Sequence, residues 1–274
     1  MSIWSCPVCG ENLLKREKSL VCKKNHSFDY ARSGYVNLLP VSRKKTKLPG
    51  DNALMINARR SFLSRDFYKP MSDSLCNVVD TFMPYGGVLF DAGCGEGYYT
   101  KNVYQSLSDS DKNAEIYGVD ISKYAADAAA KSCRTAKFAV GSVFHIPVID
   151  NSCDVLMSLF APYCGDEFRR VLKPNGKMIL VIPGRRHLWG LKKAIYSAPY
   201  ENNVQDYKLS GFEFLGTEKV DYEIILKSAD DIQNLFTMTP YYYKTGIQEH
   251  MRLKSLSELS TEVSFEILKY RKKE

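Results

Sequence analysis

Short apolar runs alternate with helical patterns along the middle of this 274-residue chain. The runs are each bordered by Gly, Asp or Pro, and they predict strands at 87–93, 115–120, 136–142, 153–161 and 177–184. Helical spacing between them predicts helices around Tyr99, Val103 and Leu107, over 123–131 with Ser122 as N-cap, and over 165–172. This alternation indicates an α/β fold with a mostly parallel sheet and helices on both faces.

The C-terminal third departs from this alternation. Residues 218–227 and 261–272 alternate apolar and polar positions, as half-buried antiparallel strands do, and a helix at about 229–237 lies between them. Residues 194–217 fit neither pattern, and we interpret them as an insertion. We therefore expect an antiparallel last strand in an otherwise parallel sheet.

The first quarter of the chain is organised differently. Residues 1–35 are rich in cysteine and contain only short strand-like runs. Residues 36–51 contain two prolines and a basic cluster, which is typical of a linker. Apolar residues at helical spacing then predict two helices, at 53–64 and at about 68–83.

Positive charge is concentrated in this first quarter. Residues 1–66 hold 13 of the 38 Lys and Arg residues but only 5 of the 31 Asp and Glu, which leaves 25 against 26 in the remainder. Such asymmetry indicates a polyanionic partner, most often nucleic acid, although solubility alone would also explain it.

The sequence contains neither an apolar run of membrane-spanning length nor the basic and apolar regions of a signal peptide. We therefore expect a cytoplasmic protein with no membrane partner. In that compartment the eight cysteines are expected to be thiols or metal ligands rather than disulfides.

A glycine-rich loop follows the first predicted strand in the stretch LFDAGCGEGYYT. Asp91 ends the strand, and glycines follow at every second position: Gly93, Gly95 and Gly97. Glycine lets the backbone turn tightly and approach a ligand without a Cβ in the way. The spacing differs from the dinucleotide fingerprint G-x-G-x-x-G, and Glu96 would repel a pyrophosphate.

A second acid ends the next strand. Asp120 stands where a carboxylate can accept two hydrogen bonds from a ribose diol. The two acids and a loop without basic residues fit S-adenosylmethionine, which has a ribose, an adenine, an ammonium and a sulfonium but no phosphate. An NAD-type site and a purely structural glycine turn are the alternatives.

Three cysteines and a histidine near the N-terminus have metal-ligand spacing: Cys6, Cys9, Cys22 and His26. Zn²⁺ takes four such ligands tetrahedrally, and a complete nitrogen and sulfur shell is typical of a structural site. A segment of this length buries little apolar surface, so the metal would supply its folding energy. The alternative is that these are reduced, unligated cysteines.

Several motifs resemble those of one family. The loop resembles motif I of the class I methyltransferases, which have a Rossmann-like fold. Together with it, "CPVCG", "HSFDYARSGYVNLLP", "PGD", "ARRSFL" and "PGRRHLWGLK" resemble the bacterial 23S ribosomal RNA guanine-N1 methyltransferases. The resemblance implies transfer of a methyl group from S-adenosylmethionine to N1 of a guanine in a hairpin loop of 23S rRNA, and it also suggests a homodimer.

The resemblance assigns roles to individual residues. Zinc would be bound by Cys6, Cys9, Cys22 and His26, whereas the cofactor would be surrounded by Asp91, Gly93, Gly95, Glu96 and Gly97, with Asp120 on its ribose. Tyr68 and His187 are similar to outlying cofactor contacts of the family, although an ordinary half-buried helix tyrosine and a surface histidine at a helix start are the simpler interpretations. The basic residues expected to contact RNA are Arg43 to Lys47, Arg59, Arg60, Arg185 and Arg186.

These roles divide the chain into a zinc-binding RNA-recognition module (1–35), a basic linker with the first helix (36–66) and an S-adenosylmethionine-dependent methyltransferase domain (67–274). The base that takes the N1 proton is not identified, and Tyr163 either stacks on the target base or simply packs. A small-molecule methyltransferase of the quinone or sterol type, and a non-catalytic ribosome-binding protein with a vestigial cofactor fold, remain as alternatives.

Overall fold

The computed structural model describes residues 2–43, 46, 49–203 and 207–274. Near the N-terminus, three short strands form an antiparallel sheet in the order β1 (Leu14–Arg16), β2 (Ser19–Val21) and β3 (Ser27–Asp29). The first part of the remaining chain forms β4 (Val36–Asn37), α1 (Ala53–Leu63), α2 (Lys69–Phe82), β5 (Val88–Ala92), α3 (Tyr98–Asp109), β6 (Glu115–Asp120), α4 (Lys123–Ser132) and β7 (Lys137–Val140).

The second part forms β8 (Cys153–Leu159), α5 (Gly165–Val171), β9 (Leu172–Pro183), α6 (Trp189–Ile195), β10 (Phe212–Leu226), α7 (Ala229–Thr237), α8 (Ile247–Lys254) and β11 (Leu259–Lys272). Two short 3₁₀ helices lie at Val41–Arg43 and Pro240–Tyr243. None of the helices in the described ranges is both long enough and apolar enough to cross a lipid bilayer.

The described residues place eight strands in one sheet, in the order β10-β11-β9-β8-β5-β6-β7-β4. The strands from β9 to β4 are parallel to their neighbours, whereas β11 is antiparallel to both β9 and β10. The expected mostly parallel α/β sheet with an antiparallel last strand is therefore confirmed. From β5 the chain winds first towards β7 and then towards β9, so the strand order reverses between β5 and β8, where such sheets bind ligands.

Most predicted elements agree with the structure. The helix expected at about 229–237 is α7, and Ser122 caps α4 by accepting a hydrogen bond from the Ala125 N–H. Two helices, α6 and α8, were not predicted from the sequence, and β10 begins at Phe212, inside the stretch that we interpreted as an insertion.

The N-terminal segment packs directly on the large sheet. Trp4 is 1% exposed, and its ring makes an edge contact with Tyr117 at a centroid distance of 5.3 Å. Backbone hydrogen bonds join Ile149 N–H to Ile3 O and Ser5 N–H to Pro147 O. The segment therefore shares a hydrophobic core with one face of the sheet.

The predicted linker begins as part of that sheet. Val36 and Asn37 form the edge strand β4, which pairs in parallel with Ala139 and Val140 of β7. This edge strand connects the N-terminal segment to the large sheet. The domain boundaries at residues 35 and 66 stay a prediction.

Candidate functional site

The glycine loop has a backbone that only glycine adopts easily. Gly93, Gly95 and Gly97 have φ values of 89°, 55° and 84°, in the left-handed region. A Cβ on Gly93 would lie 2.5 Å from the Cβ of Ala161, and one on Gly97 would lie 2.9 Å from the Cα of Ala129. A Cβ on Gly95 would lie 3.8 Å from Nη1 of Arg59, at ordinary van der Waals distance, so at this glycine the left-handed backbone is the main constraint.

Asp120 connects this loop to the end of β6. Its carboxylate accepts hydrogen bonds from the backbone N–H groups of Gly95, at 3.0 Å, and Ser122, at 2.8 Å. Burial raises the pKa of Asp120, and the two N–H donors oppose that rise. Each carboxylate oxygen keeps a lone pair for a further donor, as binding of a ribose diol requires.

Asp91 is a buried acid, and only one of its two carboxylate oxygens accepts a hydrogen bond from the described residues. It is 1% exposed, and its Oδ2 accepts a hydrogen bond of 2.6 Å from the Thr100 hydroxyl. Its Oδ1 has no hydrogen-bond partner among the described residues. Burial raises the pKa of Asp91 to about 7. A buried oxygen without a partner costs free energy, so the site fits a ligand that brings a positive charge or an N–H donor.

The sequence interpretation placed Arg59 among the RNA contacts, but its guanidinium lies over the glycine loop. Arg59 forms an ion pair of 2.7 Å with Asp51 and lies 4.0 Å from the carboxylate of Glu96. Glu96 is 5% exposed; burial raises its pKa, and Arg59 partly opposes this. Asp51 belongs to the "PGD" motif, but spacing alone gave no sign that it pairs with Arg59.

The "PGD" motif also packs against the residues that directly follow Asp120. The Asp51 carbonyl accepts a hydrogen bond of 2.6 Å from the Ser122 hydroxyl, next to Asp120. A Cβ on Gly50 would lie 2.7 Å from the Ile121 side chain, so a glycine is needed for this close approach. The end of the predicted linker is therefore part of the candidate site.

Tyr68 and His187, distant in sequence, meet beside Phe265. The Tyr68 ring centroid lies 6.1 Å from that of His187 and 4.9 Å from that of Phe265. Both residues are buried, unlike the half-buried tyrosine and surface histidine of the simpler interpretations. The Tyr68 hydroxyl has no hydrogen-bond partner within the described ranges.

Burial lowers the pKa of His187 to about 3, so its imidazole is neutral near pH 7. Its Nδ1 lies 3.3 Å from the backbone N–H of Ser264, which can only donate. The ring proton is therefore on Nε2, which is a hydrogen-bond donor. Two donors, the Tyr68 hydroxyl and His187 Nε2–H, thus belong to one buried cluster of rings around Phe265.

Cys6, Cys9, Cys22 and His26 come together near the N-terminus, with their ligand atoms all within 4.8 Å of one another. The Cys9 and Cys22 sulfurs are 3.7 Å apart, and His26 Nδ1 lies 3.5 Å and 3.4 Å from the sulfurs of Cys6 and Cys22. Tetrahedral Zn²⁺ with ordinary bond lengths requires about 3.8 Å between two sulfurs and about 3.5 Å between sulfur and nitrogen. The four residues fit a zinc ion bound through Nδ1 of His26.

Some of the other residues expected to contact RNA lie outside the described ranges, and others are exposed. Lys44, Lys45 and Lys47 lie outside the described residues. Arg185 and Arg186 are exposed, with loose ion pairs of 3.6 Å to Glu201 and 3.4 Å to Glu262. Arg60 is exposed on α1 and follows Arg59 in the sequence.

Two sequence families match this chain. A zinc-ribbon family described as "RlmA, N-terminal" matches residues 4–47, and a family described as "Methyltransferase domain" matches residues 90–180. These families agree with the fold, with the cysteine and histidine cluster and with the glycine loop. A methyltransferase domain that uses S-adenosylmethionine and a zinc ribbon are therefore both present.

Named relatives cover most of the chain. The 23S rRNA (guanine(748)-N(1))-methyltransferase of Streptomyces fradiae is 29% identical over 96% of this chain and 95% of its own. Two proteins provisionally named 23S rRNA (guanine-N1)-methyltransferases are similar as well. That of Micromonospora griseorubida is 36% identical over 67% of this chain and 66% of its own, and that of Bacillus subtilis is 31% identical over 72% and 70%. The chain belongs to the 23S rRNA (guanine-N1)-methyltransferase family.

Proposed function

We propose that this protein transfers a methyl group from S-adenosylmethionine to N1 of a guanine in a hairpin loop of 23S rRNA. The observation that carries the proposal is the buried Asp91 carboxylate, whose Oδ1 has no partner in the described residues, beside a glycine loop with left-handed φ values. This site suits a cationic nucleoside, and the family relatives are named for this reaction. The small-molecule and non-catalytic alternatives are not favoured.

Different residues around the loop would contact different parts of the cofactor. Asp120 would accept hydrogen bonds from the ribose diol, because each of its two oxygens accepts one backbone N–H and keeps a free lone pair. The Tyr68 hydroxyl and His187 Nε2–H would donate to the amino-acid carboxylate, since a carboxylate only accepts hydrogen bonds. Asp91 would face the positive end of the cofactor. These assignments, with Gly93, Glu96 and Gly97 completing the pocket, are part of the proposal.

The protein contributes mainly by orienting the two reactants. The bound cofactor supplies a methyl group on a positively charged sulfur, which is already an activated leaving group. The loop and the buried acids hold the methyl donor, so that guanine N1 can approach in line with the breaking bond. Guanine N1 carries a proton at neutral pH, and a base or a water molecule must accept it as the new bond forms.

The N-terminal sheet would bind the RNA backbone. Its exposed basic side chains are Lys15, Arg16, Lys18, Lys23, Lys24 and Arg32. Such side chains bind phosphates without reading sequence, so they would hold the hairpin while an unpaired base enters the site. Zinc at Cys6, Cys9, Cys22 and His26 would keep this sheet folded.

Primer extension on 23S rRNA tests the proposal directly. Methylation of guanine N1 blocks Watson–Crick pairing, so reverse transcriptase should stop at one loop guanine after incubation with protein and S-adenosylmethionine. The stop should be absent without the cofactor. Transfer of labelled methyl to lipid extract but not to 23S rRNA would contradict the proposal and favour a small-molecule methyltransferase.

We also propose that the protein acts as a homodimer in the cytoplasm, where ribosomal RNA is found. Light scattering of the purified protein at micromolar concentration tests the dimer. A mass equal to that of one 31.1 kDa chain at all concentrations would contradict it.

A further inference from the structure

Phe160 has an unusual backbone conformation at the end of β8. Its φ is 55°, and Phe160 and Leu188 are the two apolar side chains with a positive φ among the described residues. A bulky side chain in the left-handed region is strained, and such strain is often found where function requires it. Leu188 is 2% exposed, so core packing offsets its strain, whereas Phe160 is 47% exposed.

The turn that contains Phe160 is fixed against the candidate site. Its N–H donates a hydrogen bond of 3.1 Å to the carbonyl of Val181 in β9. The next residue, Ala161, has its Cβ where a Cβ on Gly93 would come within 2.5 Å. The strained residue is therefore held at the switch point of the sheet, directly beside the glycine loop.

The ring of Phe160 extends a buried aromatic cluster to the surface. Its centroid lies 5.5 Å from that of Phe265, which in turn lies 4.6 Å from His187 and 4.9 Å from Tyr68. Phe265 is fully buried, so one side of the Phe160 ring is supported while about half of the side chain faces solvent. An exposed, flat and rigidly supported ring at the mouth of a ligand site is suited to stacking.

We propose that Phe160 is the residue on which the target guanine stacks when it leaves the RNA loop. The proposal rests on the proposed function, because it names the surface that receives the base in that reaction. Unpaired bases of RNA are commonly stacked on aromatic side chains. A phenyl ring neither donates nor accepts hydrogen bonds strongly, so Phe160 orients the base and excludes water from N1 without taking its proton.

Tyr163, three residues later, is less suited to this role. Its ring makes an edge contact with Phe168 at 5.5 Å, and Gly165 lies directly against its hydroxyl end. It is 40% exposed but is packed against α5. Of the two possibilities that the sequence left open for Tyr163, packing is the one that these contacts favour.

Steady-state methylation of a 23S rRNA hairpin transcript by Phe160→Leu tests the stacking role. Loss of a base-stacking ring should lower kcat/KM for RNA by about fivefold to 150-fold. Phe160→Tyr keeps a flat ring and should retain most of the activity. The affinity for S-adenosylmethionine, measured by calorimetry, should be unchanged in both variants. Tyr85→Leu is the matched control, because Tyr85 is an aromatic residue 74% exposed in the turn before β5, at the end of that strand away from the glycine loop.

A glycine variant separates stacking from structural support. Phe160→Gly relieves the left-handed strain, so its thermal midpoint should be equal to or above that of Phe160→Leu while kcat/KM stays as low. Full activity of Phe160→Leu would overturn the proposal, and so would equal loss of stability, cofactor binding and activity in all three Phe160 variants. If the unaltered protein transfers no methyl to 23S rRNA, the proposed function fails and the stacking role fails with it.

Discussion

Asp91 and Asp120 end neighbouring strands, yet their carboxylates have different partners. Asp120 accepts two backbone N–H groups, whereas Asp91 accepts one hydroxyl and leaves Oδ1 without a partner in the described residues. Two backbone N–H donors favour the ionised form of Asp120, so its carboxylate can accept hydrogen bonds from the neutral ribose diol. Asp91 gains most from a ligand that carries positive charge.

Cofactor affinity should depend on pH through Asp91. Burial raises its pKa to about 7, so in the free protein it is largely protonated below that pH. Between about pH 4 and pH 7 the unfolded chain ionises Asp91 while the folded chain keeps it protonated, so the stability of the free protein falls as the pH rises through this range. A bound cation favours the ionised form and offsets this loss. The dissociation constant of S-adenosylmethionine should fall by about 15-fold in total from pH 5.5 to pH 7 and then level off.

Calorimetry over this range measures the effect, and Asp91→Asn is the control. The asparagine variant should bind the cofactor more weakly, with an affinity that is nearly independent of pH. The same pH slope in Asp91→Asn and in the unaltered protein would show that another group is responsible.

Asp120→Ala should weaken cofactor binding and leave zinc content unchanged. The substitution removes the acceptor proposed for the ribose diol, and hydrogen bonds to a charged group contribute about 1.5–3 kcal/mol, or about tenfold to 150-fold in affinity. Calorimetry and zinc analysis measure the two properties. Asp109→Ala, an exposed acid on α3, is the matched control. Parallel loss of cofactor and zinc would indicate general unfolding instead.

At the scale of elements, many of the helices and strands could be predicted from the sequence because they depend on local patterns. The parallel strands are apolar runs, and α4 and α7 have serine caps at their first turn. The edge strand β4 has only two residues, and its pairing with β7 depends on how the N-terminal sheet docks. The short helices α6 and α8 carry too few turns for a clear period.

Part of the candidate site, too, could be predicted from the sequence, and part could not. The glycine loop, Asp120 and the four metal ligands lie in local motifs with fixed spacing. Tyr68 and His187 were indicated only by family resemblance, because elements distant in sequence bring them together. The ion pair between Arg59 and Asp51 could not be predicted, since it depends on how α1 packs over the loop.

Loss of zinc should disturb the large sheet as well as the N-terminal sheet. Cys22→Ser removes one ligand of the cluster, and Trp4, two residues before Cys6, is buried against Phe90 and Tyr117. Undocking of Trp4 exposes a large aromatic side chain, which costs on the order of 3 kcal/mol. We expect lower thermal stability and weaker RNA binding.

Tryptophan fluorescence reports this change, because the chain has two tryptophans. In a Trp189→Phe background, Cys22→Ser should shift Trp4 emission towards that of a solvent-exposed indole. Addition of a zinc chelator to the Trp189→Phe protein should give the same shift. Unchanged emission after both treatments would show that Trp4 docks without the metal.

Across the whole molecule, positive charge and the cofactor site are carried by different parts of one packed body. The N-terminal segment carries the exposed basic side chains Lys15, Arg16, Lys18, Lys23, Lys24 and Arg32, whereas the acids Asp91, Glu96 and Asp120 give the cofactor site negative charge. A polyanion is repelled by such acids, so RNA must be held elsewhere while a single base enters. The N-terminal sheet, joined to the large sheet by Trp4 and β4, can do this at a fixed distance from the loop.

RNA binding should therefore lose part of its salt dependence when the N-terminal charge is reduced. Neutralising a phosphate releases counterions, so the slope of log K against log salt should decrease by about 0.7 for each RNA phosphate that a variant no longer binds on a single strand. The double variant Lys23→Ala/Lys24→Ala removes two exposed charges from the N-terminal sheet, and its slope should be smaller by about 1.4.

Filter binding of a hairpin transcript over a range of salt concentrations measures this slope. Lys227→Ala/Lys273→Ala is the matched control, because these exposed lysines directly follow β10 and β11, at the edge of the large sheet opposite β4. Equal slopes for the two double variants would mean that RNA does not lie along the N-terminal sheet. A smaller slope for Lys23→Ala/Lys24→Ala, with unchanged cofactor affinity, would mean that the hairpin is bound by one part of the molecule and modified by the other.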